Sequence, residues 1–157
     1  MVKSRAAKMP KIIQKIMDQI VDHAKRETPY ECCGILAGAF ACITEMYEIG
    51  NLASDDPRIA DLKIPEDRKV RYMMDPKEQF HALRNMRERG LTMLGIYHSH
   101  PHSQAFPSAT DVRLAFYPEV FYLIISMADT VPDLRAFFIV DGKITEEKIE
   151  RIENESH

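Results

Sequence analysis

An α/β fold is predicted by two amphipathic helical stretches, by several short β-branched and aromatic runs that alternate with them, and by a length suited to one core. The 157 residues are 45% hydrophobic with only six glycines, which excludes a disordered chain and fits a single domain spanning 1–157. In chain order, Ile12, Ile13, Ile16, Met17, Ile20, Val21 and Ala24 recur at helical spacing with Lys15, Asp18, Asp22 and Lys25 between them, so a helix is expected over about 11–27. Its apolar face needs a sheet to pack against, and Pro29 ends it. Cys32–Gly38 and Ala41–Gly50 read as two strands of an antiparallel hairpin around Gly38-Ala39-Phe40.

Asn51 to Arg71 turns to Asp, Pro, Arg and Lys and reads as a long exposed connection. Asp75-Pro76-Lys77-Glu78 supplies an N-cap, a proline at the first helical position and a glutamate three residues on, and Gly90 closes that helix at about 76–89. Leu91–Tyr97 is apolar enough for a buried strand, Val112–Phe116 suits a short helix, and Val120–Met127 and Leu134–Val140 read as central strands. Asp141-Gly142 is a hairpin turn, while Ile144–Ile152 has mixed periodicity compatible with strand or helix.

A net charge of -3 spread over both signs argues against nucleic acid as a partner. The basic opening of Lys3, Arg5, Lys8 and Lys11 leads into a charge-interrupted run, unlike a signal peptide, and no later stretch is apolar enough to span a membrane. Cys32, Cys33 and Cys42 form no Cys-x-x-Cys pair, so buried structural thiols in a reducing cytoplasm are expected rather than a disulfide framework or thiolate site.

Chemistry concentrates in His98-Ser99-His100-Pro101-His102 and the Ser108-Ala109-Thr110-Asp111 that follows, where three of the six histidines fall within five residues. Alternate residues of an extended strand point the same way, so His98 and His100 can reach one ion, with Asp111 arriving from the next element. Two imidazoles and a carboxylate are the donor set of a hydrolytic zinc, which keeps its fourth position for water. Taken singly, a rim histidine is an ordinary polar residue and Ser108-x-x-Asp111 an ordinary helix start. Taken together they point to a metal site. His102 is expected on the surface, and His23 and His81 as ordinary helix residues.

His-Ser-His-Pro followed after six residues by Ser-x-x-Asp resembles the metal motif of the JAMM, or MPN-plus, metalloproteases, in the stand-alone prokaryotic form. The resemblance covers about residues 10–150 and implies a curved mixed β-sheet flanked by helices, related to the cytidine deaminases, although the His-x-Glu and Pro-Cys-x-x-Cys of true deaminases are missing. It implies Zn²⁺ on His98, His100 and Asp111, Glu31 as general base, and Ser108 as donor to the oxyanion. The implied reaction is hydrolysis of an amide or isopeptide bond after the Gly-Gly tail of a ubiquitin-like or sulfur-carrier protein. Two other readings stay open: a non-catalytic scaffold of the same fold that binds ubiquitin-like proteins or partner subunits, and hydrolysis of a small amide or peptide. The 51–74 connection, with Arg58, Arg68 and Arg71, is expected either to help choose the substrate or to pack over the sheet edge. The sequence leaves the oligomeric state open, since Met73, Met74 and Phe116 suit an interface or a core equally.

Overall fold

The computed structural model describes residues 9–53 and 72–154. The basic residues of positions 1–8 and the loop arginines Arg58, Arg68 and Arg71 lie outside the described residues, and so does the substrate-choosing role expected of that loop. The elements in order are β1 (Lys11–Ile13), α1 (Gln14–Glu27), β2 (Cys33–Ala39), β3 (Cys42–Ile49), α2 (Pro76–Glu88), β4 (Thr92–His100), α3 (Ala109–Arg113), β5 (Phe121–Ser126), β6 (Asp133–Val140), β7 (Lys143–Glu147) and β8 (Glu150–Ile152). Among the described residues the strands form one mixed sheet in the order β7-β6-β5-β4-β2-β3-β1-β8.

The sheet is curled, because the chain runs from one of its edges to the other within two residues. Glu147 ends β7 and Glu150 begins β8, so the two outermost strands meet within about 11 Å of backbone. β4 and β5 are parallel, and β4 pairs antiparallel with β2, which places β4 in the interior of the sheet. One face packs Ile16, Met17, Ile20 and Ala24 of α1 against Leu36, Tyr97, Leu123 and Ile125. The other packs Ala82 and Met86 of α2 against Cys33, Ile35 and Ile49, and continues as Ile96, Tyr122, Ile124 and Phe137. Burial on both faces is why Phe121–Ser126 reads as an unbroken apolar run rather than an alternation.

Three boundaries differ from the sequence reading. The first helix begins at Gln14, because Lys11 and Ile12 pair with both β3 and β8, and these ladders override the helical period. β4 runs on through His100, since β5 pairs with it as far as His100↔Ser126. The short helix spans 109–113 because its cap is Ser108. The ambiguous 144–152 stretch is strand, and Asp141 and Gly142 both adopt positive φ in the hairpin turn before it. Of the three thiols, Cys32 and Cys33 are buried and Cys42 is only half buried.

Gly34 marks the closest approach in the sheet. A Cβ there would lie 2.2 Å from Cε1 of Tyr97 and 2.4 Å from the carbonyl oxygen of Tyr47. Gly34→Ala therefore overpacks against both a buried ring and backbone, and is expected to lose about 1–3 kcal/mol, read as a lower urea midpoint at unchanged slope. A midpoint equal to that of the wild type would mean the ring shifts without cost.

Candidate active site

Three elements bring the motif together. Ladder pairing on both sides holds the end of β4 extended, so His98 and His100 project from the same face as Ile96, while Tyr97 and Ser99 turn to the α1 face. Neither histidine is an ordinary exposed rim residue: they are only 1% and 4% exposed. Asp111 enters at the first turn of α3, where Ser108 Oγ accepts from the Asp111 N–H at 3.0 Å and Asp111 Oδ2 accepts from the Ser108 N–H at 2.9 Å. The capping box and the histidine cluster thus share one carboxylate, so the helix start and the paired histidines are joined through Asp111.

His98 Nε2, His100 Nε2 and Asp111 Oδ2 form a triangle with all three sides 3.1 Å. The edge of a tetrahedron with metal bonds of about 2.05 Å is about 3.3 Å, so the triangle has the size of one face of a zinc coordination shell. Protonation makes the case stronger. His100 Nδ1 lies 2.7 Å from the Gln104 carbonyl, which can only accept, so Nδ1 carries the hydrogen and a neutral His100 turns a lone pair toward the carboxylate. A lone pair facing a carboxylate oxygen at 3.1 Å needs a cation between them, and the donor set fits a divalent metal.

Without such an ion a proton takes its place. Burial by itself would raise Asp111, but the charge of His98 and hydrogen bonds from His100, His98 and the Ser108 N–H hold it far below the ordinary carboxylate value. Burial likewise lowers His100, yet its bonds to Asp111 and the Gln104 carbonyl outweigh this and raise it overall.

Glu31 lies just before β2 and is 4% exposed. The β2–β4 ladder ends at the Cys33↔His98 pair, and just beyond it the Ser99 N–H donates to the Cys32 carbonyl at 3.0 Å while the Cys32 N–H turns to Ser99 Oγ at 2.8 Å, so Glu31 follows at the head of β2, beside the end of β4 that carries the histidines. The Asn51 side chain holds this end in place: its Nδ2 donates to the Glu31 carbonyl at 2.9 Å, and its Oδ1 accepts the Met73 N–H at 2.9 Å.

Sequence reasoning missed two neighbours. Tyr72 stacks on His98 with ring centroids 4.5 Å apart, and nothing in its sequence context marks it. Gln104 acts through its backbone carbonyl, which no side-chain pattern can reveal. His81 and His102 are exposed, as expected. His23 is not an ordinary helix residue: it is 5% exposed, and its Nδ1 lies 2.7 Å from the Tyr97 hydroxyl. Burial pushes the Cys32 thiol up to about 12, in keeping with a structural role.

Comparison with known proteins shows the family. The family model described as prokaryotic homologs of the JAB domain matches residues 14–140. A CysO-cysteine peptidase of Mycobacterium tuberculosis is 35% identical over 140 residues, 88% of each chain. A desampylase of Haloferax volcanii is 36% identical over 115 residues, 69% of this chain and 74% of the relative. Among solved structures, protein DSY2949 of Desulfitobacterium hafniense superposes with a TM-score of 0.78 at 36% identity, covering 93% of this chain and 94% of the other. A JAB1/MPN domain protein of Archaeoglobus fulgidus shares the fold at a TM-score of 0.55 and 17% identity, covering 91% of this chain and 99% of the other. With its family model spanning most of the sequence and its curled mixed sheet matched in solved JAB1/MPN domains, the chain belongs to the prokaryotic branch of the JAB, or JAMM/MPN, family.

Proposed function

We propose that the protein is a zinc-dependent metallopeptidase that hydrolyses the amide or isopeptide bond after the Gly-Gly tail of a ubiquitin-like or sulfur-carrier protein. The observation that carries this reading is the 3.1 Å triangle of His98, His100 and Asp111, with the His100 tautomer set by the Gln104 carbonyl. The names of the relatives support the substrate class, since one is a CysO-cysteine peptidase and another a desampylase. Three thiols without a disulfide suit work in a reducing cytoplasm.

His98, His100 and Asp111 would hold the ion, which when bound supplies a water acidic enough to ionise near neutral pH and a Lewis acid for the scissile carbonyl. Glu31, at the head of β2, takes a proton from the attacking water and delivers it to the departing nitrogen. Ser108 Oγ accepts from the Asp111 N–H, which leaves its own O–H to donate to the developing oxyanion, a contact strongest in the transition state. Gln104 keeps Nδ1 of His100 protonated, so that Nε2 stays a ligand.

Metal content and cleavage of a panel of ubiquitin-like Gly-Gly fusions test this together. One zinc per chain and release of the fusion partner are expected for the wild type, with both lost in His100→Ala. A wild type that holds no zinc after reconstitution, or that holds zinc but cleaves none of the fusions, would overturn the reading.

A further inference from the structure

The two imidazoles of the triangle are held in different ways. His100 has its second nitrogen fixed, with Nδ1 2.7 Å from the Gln104 carbonyl. On His98 the corresponding Nδ1 is buried and makes no hydrogen bond among the described residues. A ligating histidine ordinarily gives its second N–H to a carbonyl, a carboxylate or water, which fixes the plane of the ring and strengthens the ligating nitrogen. For His98 to turn a lone pair of Nε2 into the triangle, Nδ1 must carry the hydrogen, and no described acceptor receives it.

What touches the His98 ring instead is Tyr72. The ring centroids are 4.5 Å apart and the planes are inclined by 27°, so the phenol lies nearly face to face with the imidazole. Such a contact cannot accept the Nδ1 hydrogen, which lies in the plane of its own ring, but it limits rotation of the imidazole about its Cβ–Cγ bond. Tyr72 is half buried, and its backbone neighbours are tied down. The Met73 N–H donates to Asn51 Oδ1 at 2.9 Å, the Leu52 N–H donates to the Met73 carbonyl at 2.9 Å, and Asn51 pairs with Met74 in an antiparallel bridge. Because Asn51 Nδ2 also donates to the Glu31 carbonyl, one amide side chain ties the segment carrying Tyr72 to the head of β2.

We propose that Tyr72 is a positioning residue of the metal site that acts through His98: its ring orients one ligand by stacking, as the Gln104 carbonyl orients the other by a hydrogen bond. This rests on the metal-site reading above. A cation bonded to Nε2 draws electrons from the imidazole, and an electron-poor ring is attracted more strongly to the electron-rich face of a phenol. A contact that is stronger in the loaded protein than in the metal-free one adds to the affinity for the ion, whereas a contact equally strong in both adds only to the fold. The face of the ring carries this effect and the hydroxyl does not, so phenylalanine at position 72 keeps it.

Zinc affinity of the full chain, measured by competition with a chromophoric chelator, tests this beside the melting temperature of each metal-free protein. Tyr72→Phe is expected to bind zinc within about twofold of the wild type, and Tyr72→Leu about tenfold more weakly, the lower end of what loss of an orienting neighbour costs. Pentafluorophenylalanine introduced at position 72 has nearly the shape of phenylalanine with the charge of its face reversed, so it is expected to weaken zinc about threefold relative to Tyr72→Phe while the metal-free protein folds as before. That third comparison decides the matter even where leucine disturbs folding. Wild-type affinity in both Tyr72→Leu and the fluorinated protein would overturn the proposal, and a lower metal-free melting temperature alone would make Tyr72 a packing residue. Equal weakening in Tyr72→Phe and Tyr72→Leu would assign the effect to the hydroxyl and overturn it too. A wild type that binds no zinc would overturn the metal-site reading, and this proposal with it.

Discussion

Glu31→Gln is expected to keep one zinc per chain and to lower kcat by about 10²–10⁴, the range of a positioned general acid–base. The substitution keeps shape and removes only the capacity to carry a proton. Glu31 is 4% exposed, so replacing a buried carboxylate with a neutral amide relieves desolvation, and the melting temperature should stay level or rise. A variant retaining more than about a tenth of the wild-type kcat would assign the proton transfer to another group, and one that lost its zinc would make Glu31 a support of the metal.

Removing the metal should destabilise the fold, increasingly so as pH rises. In the metal-free protein the raised His100 contributes stability that is complete below its ordinary value of 6.5 and fades as pH climbs through the raised native value. The depressed Asp111 contributes above its ordinary value of 3.8 and loses that contribution only as pH falls through its very low native value. Metal-free protein is thus best supported by the cluster between about pH 4 and 6.5. The metal-bound form behaves oppositely on the alkaline side, because its ligands must be unprotonated and protons stop competing there. At free zinc about a thousandfold above Kd the ion adds about 4 kcal/mol, or about 8–16 °C in Tm for a chain of this size. Calorimetry with and without chelator should show this gap widening from pH 5.5 to 8. A gap independent of pH would mean that the ion is not held by the two imidazoles.

The legible parts of the sequence were those in which local pattern and tertiary environment agree. α2 has a proline at its first helical position, an Asp75 cap that accepts the Lys77 N–H at 2.9 Å, and Gly90 in the left-handed region at its end, and each is written in the sequence. The metal triangle was legible because strand alternation and the Ser108 cap are both local devices. What stayed hidden is non-local. β1 carries a helical period and becomes strand only because β3 and β8 flank it. Glu31 is brought beside the histidine-bearing end of β4 by the β2–β4 pairing, which separates it from the other glutamates only once the sheet is built. His23 looks like one more residue of an amphipathic helix until Tyr97 arrives from β4 to meet it.

The closure of the sheet at β7 and β8 also has a consequence in time. Lys15 and Asn154, whose N–H and Oδ1 are bonded at 2.9 Å, lie 139 positions apart, so this corner closes a loop of nearly the whole chain for one ladder between two three-residue strands. Such contacts gain little for the entropy they cost, form late in folding and are the first to open afterwards. Amide exchange should therefore be fastest along β1 and β8 and slowest in β4, which is bonded on both sides. The two histidines sit at the far end of that slowest strand, so the chain can breathe at the seam between β1 and β8 without loosening the His98–His100–Asp111 triangle.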